Sequence, residues 1–356
     1  MRNERLSRVW KHPLGRFSIA LIGLFMLVST LGYLIVPDPS PSANTMHLAL
    51  ANAPMGTEMK VLRITDPTMN VSTGFFERWF FGDPTRTREY LIEELRPSEK
   101  QIDYKEYLGV GVISEDWESI QLAENETYEV VDRTYWLGTD KYGRDLLSRL
   151  ILGGRVSIAV GFISVLISLL IGIPLGALAG YYGGWIDKSV MWLVNVVWSV
   201  PTLLMVIALT FVLGKGFWQV FVAVGLTMWV EVARVVRGQV MGIRQMEYVE
   251  AAKVLGYSST RIIAKHVLPN ALAPVIVISA ANFASAILME SGLSFLGIGA
   301  QPPIPSWGGI IRDHYAYIIT GEAHLSLLPG LCIMLLVLSF MTLGNTLRDA
   351  LDVRAS

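Results

Sequence analysis

An all-α polytopic membrane protein with six transmembrane helices is the fold class predicted for this chain, and three observations carry the prediction. Of its 356 residues 52% are hydrophobic and 17% charged, where a soluble domain carries about 25% charged residues; the mean hydropathy is +0.46. Six stretches reach or approach the roughly 20 apolar residues that a bilayer-crossing helix needs. They are Phe17–Val36, Val156–Ala179, Ser189–Leu213, Phe217–Val236, Ala271–Gly297 and Leu325–Leu343. Basic residues gather at the ends of alternate connections: Arg2, Arg5, Arg8, Lys11 and Arg16 before the first stretch, Arg234, Arg237, Arg244, Lys253, Arg261 and Lys265 around the loop between the fourth and fifth, and Arg348 and Arg354 after the sixth. The positive-inside rule makes all three regions cytoplasmic, with both termini inside and Asp38 to Trp136 outside. The net charge of −1 discriminates nothing by itself. The single cysteine, Cys332, excludes a disulfide within the chain and a CxxC metal site, and reads as a packed thiol.

The first helix follows a basic start, and Ala49, Ala51 and Ala53 offer the small-residue spacing of a signal-peptide cleavage site. Its apolar core is longer than the roughly 7–15 residues of a signal h-region, and those alanines lie well past its end, so it reads as an uncleaved span. Residues 37–136 then form an insertion too long for a plain connection. It opens with PDPSPSANT and mixes Phe75, Phe76, Trp79, Phe80, Phe81 and Trp117 with dense charge. TREYLIEELRPSEKQ has helical spacing of Tyr90, Leu91 and Leu95 and stops at Pro97, which predicts a helix. VGVISEDWESIQLAENETYEVV reads as two short strands or a loosely ordered tail. The expectation is a partly structured extracytoplasmic cap. Sequons at Asn70 and Asn125 carry no weight without a secretory glycosylation route.

Asp145 to Leu152 reads as an amphipathic helix in the membrane interface, with Leu146, Leu147, Leu150 and Ile151 on one side, Trp136 as an anchor, and Gly153–Gly154 as a turn into the second span. Asp140, Arg144 and Asp145 beside it read as structural charges, and Arg155 as a snorkelling one. The third and fourth spans form a tight hairpin across Gly214, Lys215 and Gly216. Pro174, Pro201, Pro274 and Pro329 lie in or at the ends of spans, where neighbouring helices can satisfy the freed carbonyls.

The loop at residues 237–270 includes EYVEAAKVLGYSSTRIIAKHVLPNALAP. A short helix with small Ala251 and Ala252 on its surface can approach a partner closely, Gly256 permits a sharp turn, the helical pattern resumes, and Pro269 opens the next apolar segment. The product is a helix-turn-helix knob. The spacing of Glu250, Ala251, Ala252 and Gly256 with Leu268 and Pro269 resembles the EAA loop of the membrane subunits of ATP-binding-cassette importers. The segment LGTDKYGRDLLSRLILGGRVS is similar to the C-type permease of the dipeptide, oligopeptide and nickel importers. That likeness runs on through GYYGGWIDK, RVVRGQVM, ESGLSFLGIGAQPPIPSWGGII and LRDALD. His266 stands where the general pattern has an aliphatic residue, and Val353 where this branch usually shows proline. The insertion lies outside the resemblance.

What the resemblance implies is a type I ABC importer permease fold. Its parts are a cytoplasmic N-terminus and first helix at 1–36, the extracytoplasmic insertion at 37–136, a permease core at 137–343 and a cytoplasmic tail at 344–356. Glu247, Tyr248, Glu250, Ala251, Ala252, Gly256, Leu268 and Pro269 would couple it to the ATPase. Implied partners are a second, B-type permease, two ABC ATPase subunits and an extracytoplasmic solute-binding protein, in the inner membrane and without nucleic acid. The cargo would be short peptides or a similar solute such as a nickel chelate.

The sequence itself offers no bond chemistry and no metal site. It has no GxxxxGK[ST] phosphate loop and no HExxH, and His266, His314 and His324 are scattered. ATP and magnesium would be used on partner subunits, with no cofactor on this chain. Glu290 is the one acid deep in an apolar run; it either lines the pathway or a gate, or is tied by packing partners. A secondary transporter needs several midplane polar groups, which a lone Glu290 does not supply.

Overall fold

The structure is a computed structural model that describes residues 9, 10, 12–66, 74–84, 87–98, 101–112, 116–214 and 216–351. Arg2, Arg5, Arg8, Lys11, Asn70, Lys215, Val353 and Arg354 lie outside the described residues. Along the chain come α1 (Pro13–Ile35), β1 (Thr57–Thr65), α2 (Phe75–Phe81), β2 (Thr87–Pro97), β3 (Gln101–Glu106), β4 (Glu118–Gln121) and β5 (Thr127–Tyr135). Then follow α3 (Leu146–Tyr182), α4 (Gly184–Trp198), α5 (Thr202–Leu213), α6 (Phe217–Ile243), α7 (Glu247–Val254) and α8 (Ser259–Ile262). A π-helical turn, Ile263–Val267, leads into α9 (Leu268–Phe295), followed by α10 (Trp307–His314) and α11 (His324–Leu351).

Five of these helices are long and apolar enough to cross a membrane, and α4 with α5 makes a sixth if the bent pair counts as one span. The expected straight span at Ser189–Leu213 is instead two helices meeting at 90°. Pro201 has no N–H to give and forces Val200 out of the helical region, so the chain turns there. α3 is 37 residues long, about 55 Å at 1.5 Å per residue, and overshoots a hydrocarbon core about 30 Å thick. The separate interfacial helix with a turn at Gly153–Gly154 is therefore corrected: both glycines lie inside continuous α3. They are there for closeness. A Cβ on Gly153 would meet Trp307 Cδ1 at 3.1 Å, and one on Gly154 would meet Ser29 Oγ at 2.9 Å. Trp307 is 2% exposed and donates from Nε1 to the Leu150 carbonyl at 2.9 Å.

α3 packs against α6, α9 and α1, and α11 packs against α9 and α1. Where α9 meets α11, Phe283 and Phe340 stack with centroids 4.0 Å apart, and Trp307 takes Phe25 edge-on. The α3–α6 contact is of another kind. Cβ atoms on Gly172 and Gly180 would lie 2.7 Å from the Trp229 and Arg237 carbonyl oxygens, and one on Gly176 would run into the Ala233 carbonyl. α6 returns the arrangement with Gly225 against Ile167. Small residues at intervals of four let the two backbones touch, which is how helices associate in lipid without a hydrophobic drive.

The insertion is a five-stranded antiparallel sheet in the order β4-β3-β2-β1-β5. The helix expected over TREYLIEELRP is strand β2, which pairs on both sides, with β1 through Val61 opposite Leu91 and with β3 through Leu95 opposite Tyr104. Leu91 and Ile92 are both buried because they point to opposite faces. Ile92 joins Leu62, Ile64, Ile102 and Tyr104, while Leu91 joins Leu50, Val61 and Tyr135. Two-sided burial in a central strand overrides the helical spacing of a short window. β4 falls within the stretch expected to give two strands or a loose tail, and β5 begins in it and runs on to Tyr135.

Across the sheet Glu89 accepts from His47 Nε2 at 3.2 Å, Arg63 Nε at 3.0 Å, and Arg133 Nη1 and Nη2 both at 2.9 Å. Burial opposes its ionisation, but the His47 hydrogen bond and the Arg133 and Arg63 charges outweigh burial and hold the carboxyl down at about 2. A carboxyl depressed in the folded state contributes stability above its ordinary value of 4.5, and that contribution is lost as pH falls through about 2. Glu89→Gln is expected to lower the free energy of unfolding at pH 7 by up to about 3 kcal/mol. The gap to wild type should close between pH 4.5 and 2. A gap that stays constant over that range contradicts the ion cluster.

Candidate functional site

Three regions of the helical bundle hold the residues singled out by sequence: the start of α3, the middle of the bundle, and the α7–α8 knob. At the start of α3 Asp140 is fully buried. Its Oδ1 accepts the Tyr142 and Arg144 backbone N–H groups at 2.9 and 3.0 Å, and its Oδ2 accepts Arg144 Nε at 2.7 Å, with Arg149 Nε at 3.6 Å. The two arginines then reach the insertion, Arg144 Nη1 to Asn44 Oδ1 at 3.0 Å and Arg149 Nη1 to the Ser42 carbonyl at 3.2 Å. Asp145 caps α3 by accepting the Ser148 N–H at 2.7 Å, and Ser148 Oγ accepts the Asp38 N–H at 3.0 Å. The GRDLLSR segment thus fastens the sheet to the bundle. Beside it a cavity of about 500 Å³ opens between Tyr142, Arg144, Arg149 and the Pro302–Pro305 loop. Arg155 turns to protein, with Nη1 3.4 Å from the Trp79 carbonyl and its guanidinium 4.9 Å from the Tyr33 ring centroid.

Glu290 is 1% exposed, enclosed by α3 and α9. Oε1 accepts Ser294 Oγ at 2.6 Å and Oε2 accepts Ser157 Oγ at 3.2 Å. Ser294 Oγ in turn accepts the Ala300 N–H at 3.2 Å, so the carboxylate ties α3 to the loop after α9. Its partners are hydroxyls, where sequence reasoning weighed an arginine or backbone donors. Ser294, four residues along the same helix face, is the signal that points to them.

The knob is built by a helix stop. In α7, Val249 and Ala252 share the inner face and are 0% and 4% exposed, packed with Ile262 and Val267. Ala252 is therefore corrected from surface to core: three positions from Val249, it must face the way Val249 faces. Gly256 takes φ +79. Its N–H donates to the Lys253 carbonyl at 2.9 Å, and the Tyr257 N–H donates to the Ala252 carbonyl at 3.1 Å, the paired bonds of a glycine-stopped helix. Tyr257 stacks on His266 at 6.1 Å between centroids and lies under Arg261, while Asn270 Nδ2 donates to Tyr248 Oη at 3.2 Å. Two arginine anchors complete the base: Arg244 Nη1 donates to the Tyr181 carbonyl at 2.7 Å, and Arg237 pairs with Asp187.

Glu247, Tyr248, Glu250 and Ala251 are exposed, Leu268 is half-buried and Pro269 exposed. Sequence reasoning missed the outermost residues, Val254 and Leu255, which are 88% and 71% exposed. Two aliphatic residues directly before a left-handed glycine, at a helix end that cannot fold them back, are the signal.

Residues 172–356 match the family described as binding-protein-dependent transport system inner membrane component. The chain is 39% identical over 218 residues to the glutathione transport system permease protein GsiD of Pectobacterium atrosepticum, covering 61% of this chain and 72% of that protein. It is 43% identical over 218 residues to the dipeptide transport system permease protein DppC of Bacillus subtilis, covering 61% and 68%. To the oligopeptide transport system permease protein OppC of Bacillus subtilis it is 38% identical over 220 residues, covering 62% and 72%. Among solved structures, a chain of the inward-facing MetNI methionine ABC transporter matches with a TM-score of 0.48 at 21% identity, covering 58% of this chain and 98% of that one.

Glu290→Gln keeps the shape but replaces a carboxyl oxygen with an amide NH2 between the Ser294 and Ser157 hydroxyls, so one of the two hydrogen bonds must be re-formed or lost. It is expected to lower the yield of assembled transporter, with uptake per assembled complex unchanged within about twofold. Normal yield with an altered substrate preference places Glu290 on the pathway instead.

Proposed function

We propose that this chain, which belongs to the family of binding-protein-dependent transport system inner membrane components, is the C-type permease of an ATP-driven ABC importer for short peptides. The names of its relatives support the cargo: glutathione, dipeptides and oligopeptides are all short peptides that carry free carboxylates. The chain is a transport subunit. ATP and magnesium belong to two ATPase subunits, and the catalytic step is theirs.

The observation that carries the coupling is the knob. A rigid helix end with Val254 and Leu255 uncovered, held by Gly256 and cross-braced by Tyr248–Asn270 and Tyr257–His266, fits a cleft on a partner. Glu247, Tyr248, Glu250 and Ala251 form the rim of that contact. Ala252, Leu268 and Pro269 shape the knob from within and behind. Glu290 acts as a tie that holds the loop after α9, at one remove from cargo.

α5 buries only Val206 and Thr210 within the chain, which suits a B-type permease completing the pathway from the other side. Arg16 and the basic residues around the knob support a cytoplasmic N-terminus and knob, with the bent pair counted as one span. The sheet then faces the extracytoplasmic solute-binding protein.

Purified ATPase subunits are expected to bind inside-out vesicles that hold the permease, and Leu255→Asp to reduce both binding and peptide uptake by about tenfold or more. Unfolding temperature should hold, because Leu255 touches solvent. Gly256→Pro should abolish uptake, since proline cannot adopt positive φ. Full ATP-coupled uptake by Leu255→Asp would sink the knob assignment, and binding to right-side-out vesicles would reverse the orientation.

A further inference from the structure

Helix α2 stands apart from the strand pairing of the sheet. At 100° per residue, Phe75, Trp79, Phe76 and Phe80 fall on one arc of about 140°, with Glu77, Arg78 and Phe81 opposite. Their rings touch in series: Phe75 to Phe76 at 5.8 Å, Phe76 to Trp79 at 6.3 Å and Trp79 to Phe80 at 5.1 Å between centroids. Yet Phe75, Phe76 and Phe80 are 63%, 70% and 54% exposed. A contiguous aromatic patch of this kind is not left in water without a reason.

The helix is pinned at a definite height. Trp79 Nε1 donates to the Thr30 carbonyl at 2.6 Å, and the Trp79 carbonyl accepts from Arg155 Nη1 at 3.4 Å. Gly82, directly after α2, fits against Tyr33 and the Pro39 carbonyl, where a Cβ would lie 2.8 Å from both. Thr30 is five residues before the end of α1 at Ile35, which is about 7–8 Å along the helix axis. On α1 itself Leu27, Leu34 and Ile35 are exposed at 57%, 48% and 47%. The aromatic raft therefore continues the exposed apolar surface of α1, close to the end of that helix at Ile35.

We infer that α2 is an interfacial helix seated in the outer leaflet, with Phe75, Phe76 and Phe80 at the boundary between headgroups and acyl chains, so that the sheet is moored to the bilayer as well as to the bundle. The occupant of the aromatic face is lipid. Aromatic side chains favour that boundary, and the Trp79–Thr30 bond sets the helix there. The inference rests on the reading that α1 spans the membrane.

Spin labels at Phe76→Cys, Phe80→Cys and Glu77→Cys, each in a Cys332→Ser background, test it on the full chain assembled with its partner subunits in lipid nanodiscs. Leu27→Cys on α1 serves as the reference. Collision with oxygen relative to a water-soluble nickel chelate is expected to be higher at 76 and 80 than at 77 by a factor of about 3 or more. Water-like ratios at 76 and 80 with a lipid-like ratio at 27 overturn the mooring and leave the span intact. Labels at 76 and 80 shielded from both reagents mean that protein covers the raft, which also overturns it. A water-like ratio at 27 removes the span and the mooring together.

Discussion

The seam where Gly172, Gly176 and Gly180 of α3 meet the backbone of α6 is the constraint on which the rest of the structure depends. In lipid there is no hydrophobic force to hold two apolar helices together, so contact has to come from closeness and fit. The glycines provide that closeness over two turns, and Gly225 provides it again from the α6 side. Below the seam, Arg244 on the Tyr181 carbonyl and Arg237 with Asp187 fix where both helices stop. Since only three residues separate the end of α6 at Ile243 from the start of α7 at Glu247, the knob takes its position from this pair. A knob on a loose tether transmits no force.

α3 extends the same constraint upward. It carries Ser157 to the Glu290 carboxylate, accepts Trp307 at Gly153 and Gly154, and at its outer end holds Arg144 and Arg149 on Asp140. One helix therefore touches the knob, the central acid and the insertion. The broken α4–α5 pair stands outside this frame. Its 90° bend leaves α5 with only Val206 and Thr210 buried within the chain.

Much of this was legible in the residues. Apolar length located five spans, and the EAA-like spacing located the knob, because a glycine stop and small residues at fixed intervals are local signals. The failures came from what distant residues decide. Tyr90, Leu91 and Leu95 have helical spacing, and only pairing with β1 and β3 makes them a strand. Gly153 and Gly154 look like a turn until Trp307 is placed against them. Ala252 was misassigned by size, when its spacing from Val249 already gave its direction. Pro201 looks tolerable inside a span, yet the helix breaks there and turns by 90°. Ser157 was invisible as a partner of Glu290, since 133 residues separate them.

Coupling through a rigid α3–α6 pair is the central claim, and ATP hydrolysis by the reconstituted importer tests it most directly. Gly176→Ala presses a methyl group into the Ala233 carbonyl, while Gly238→Ala adds one in open space. With equal amounts of assembled complex, Gly238→Ala should keep the stimulation of hydrolysis by binding protein and peptide. Gly176→Ala should retain basal hydrolysis and lose most of that stimulation. Stimulation at the wild-type level in assembled Gly176→Ala complexes would contradict the claim.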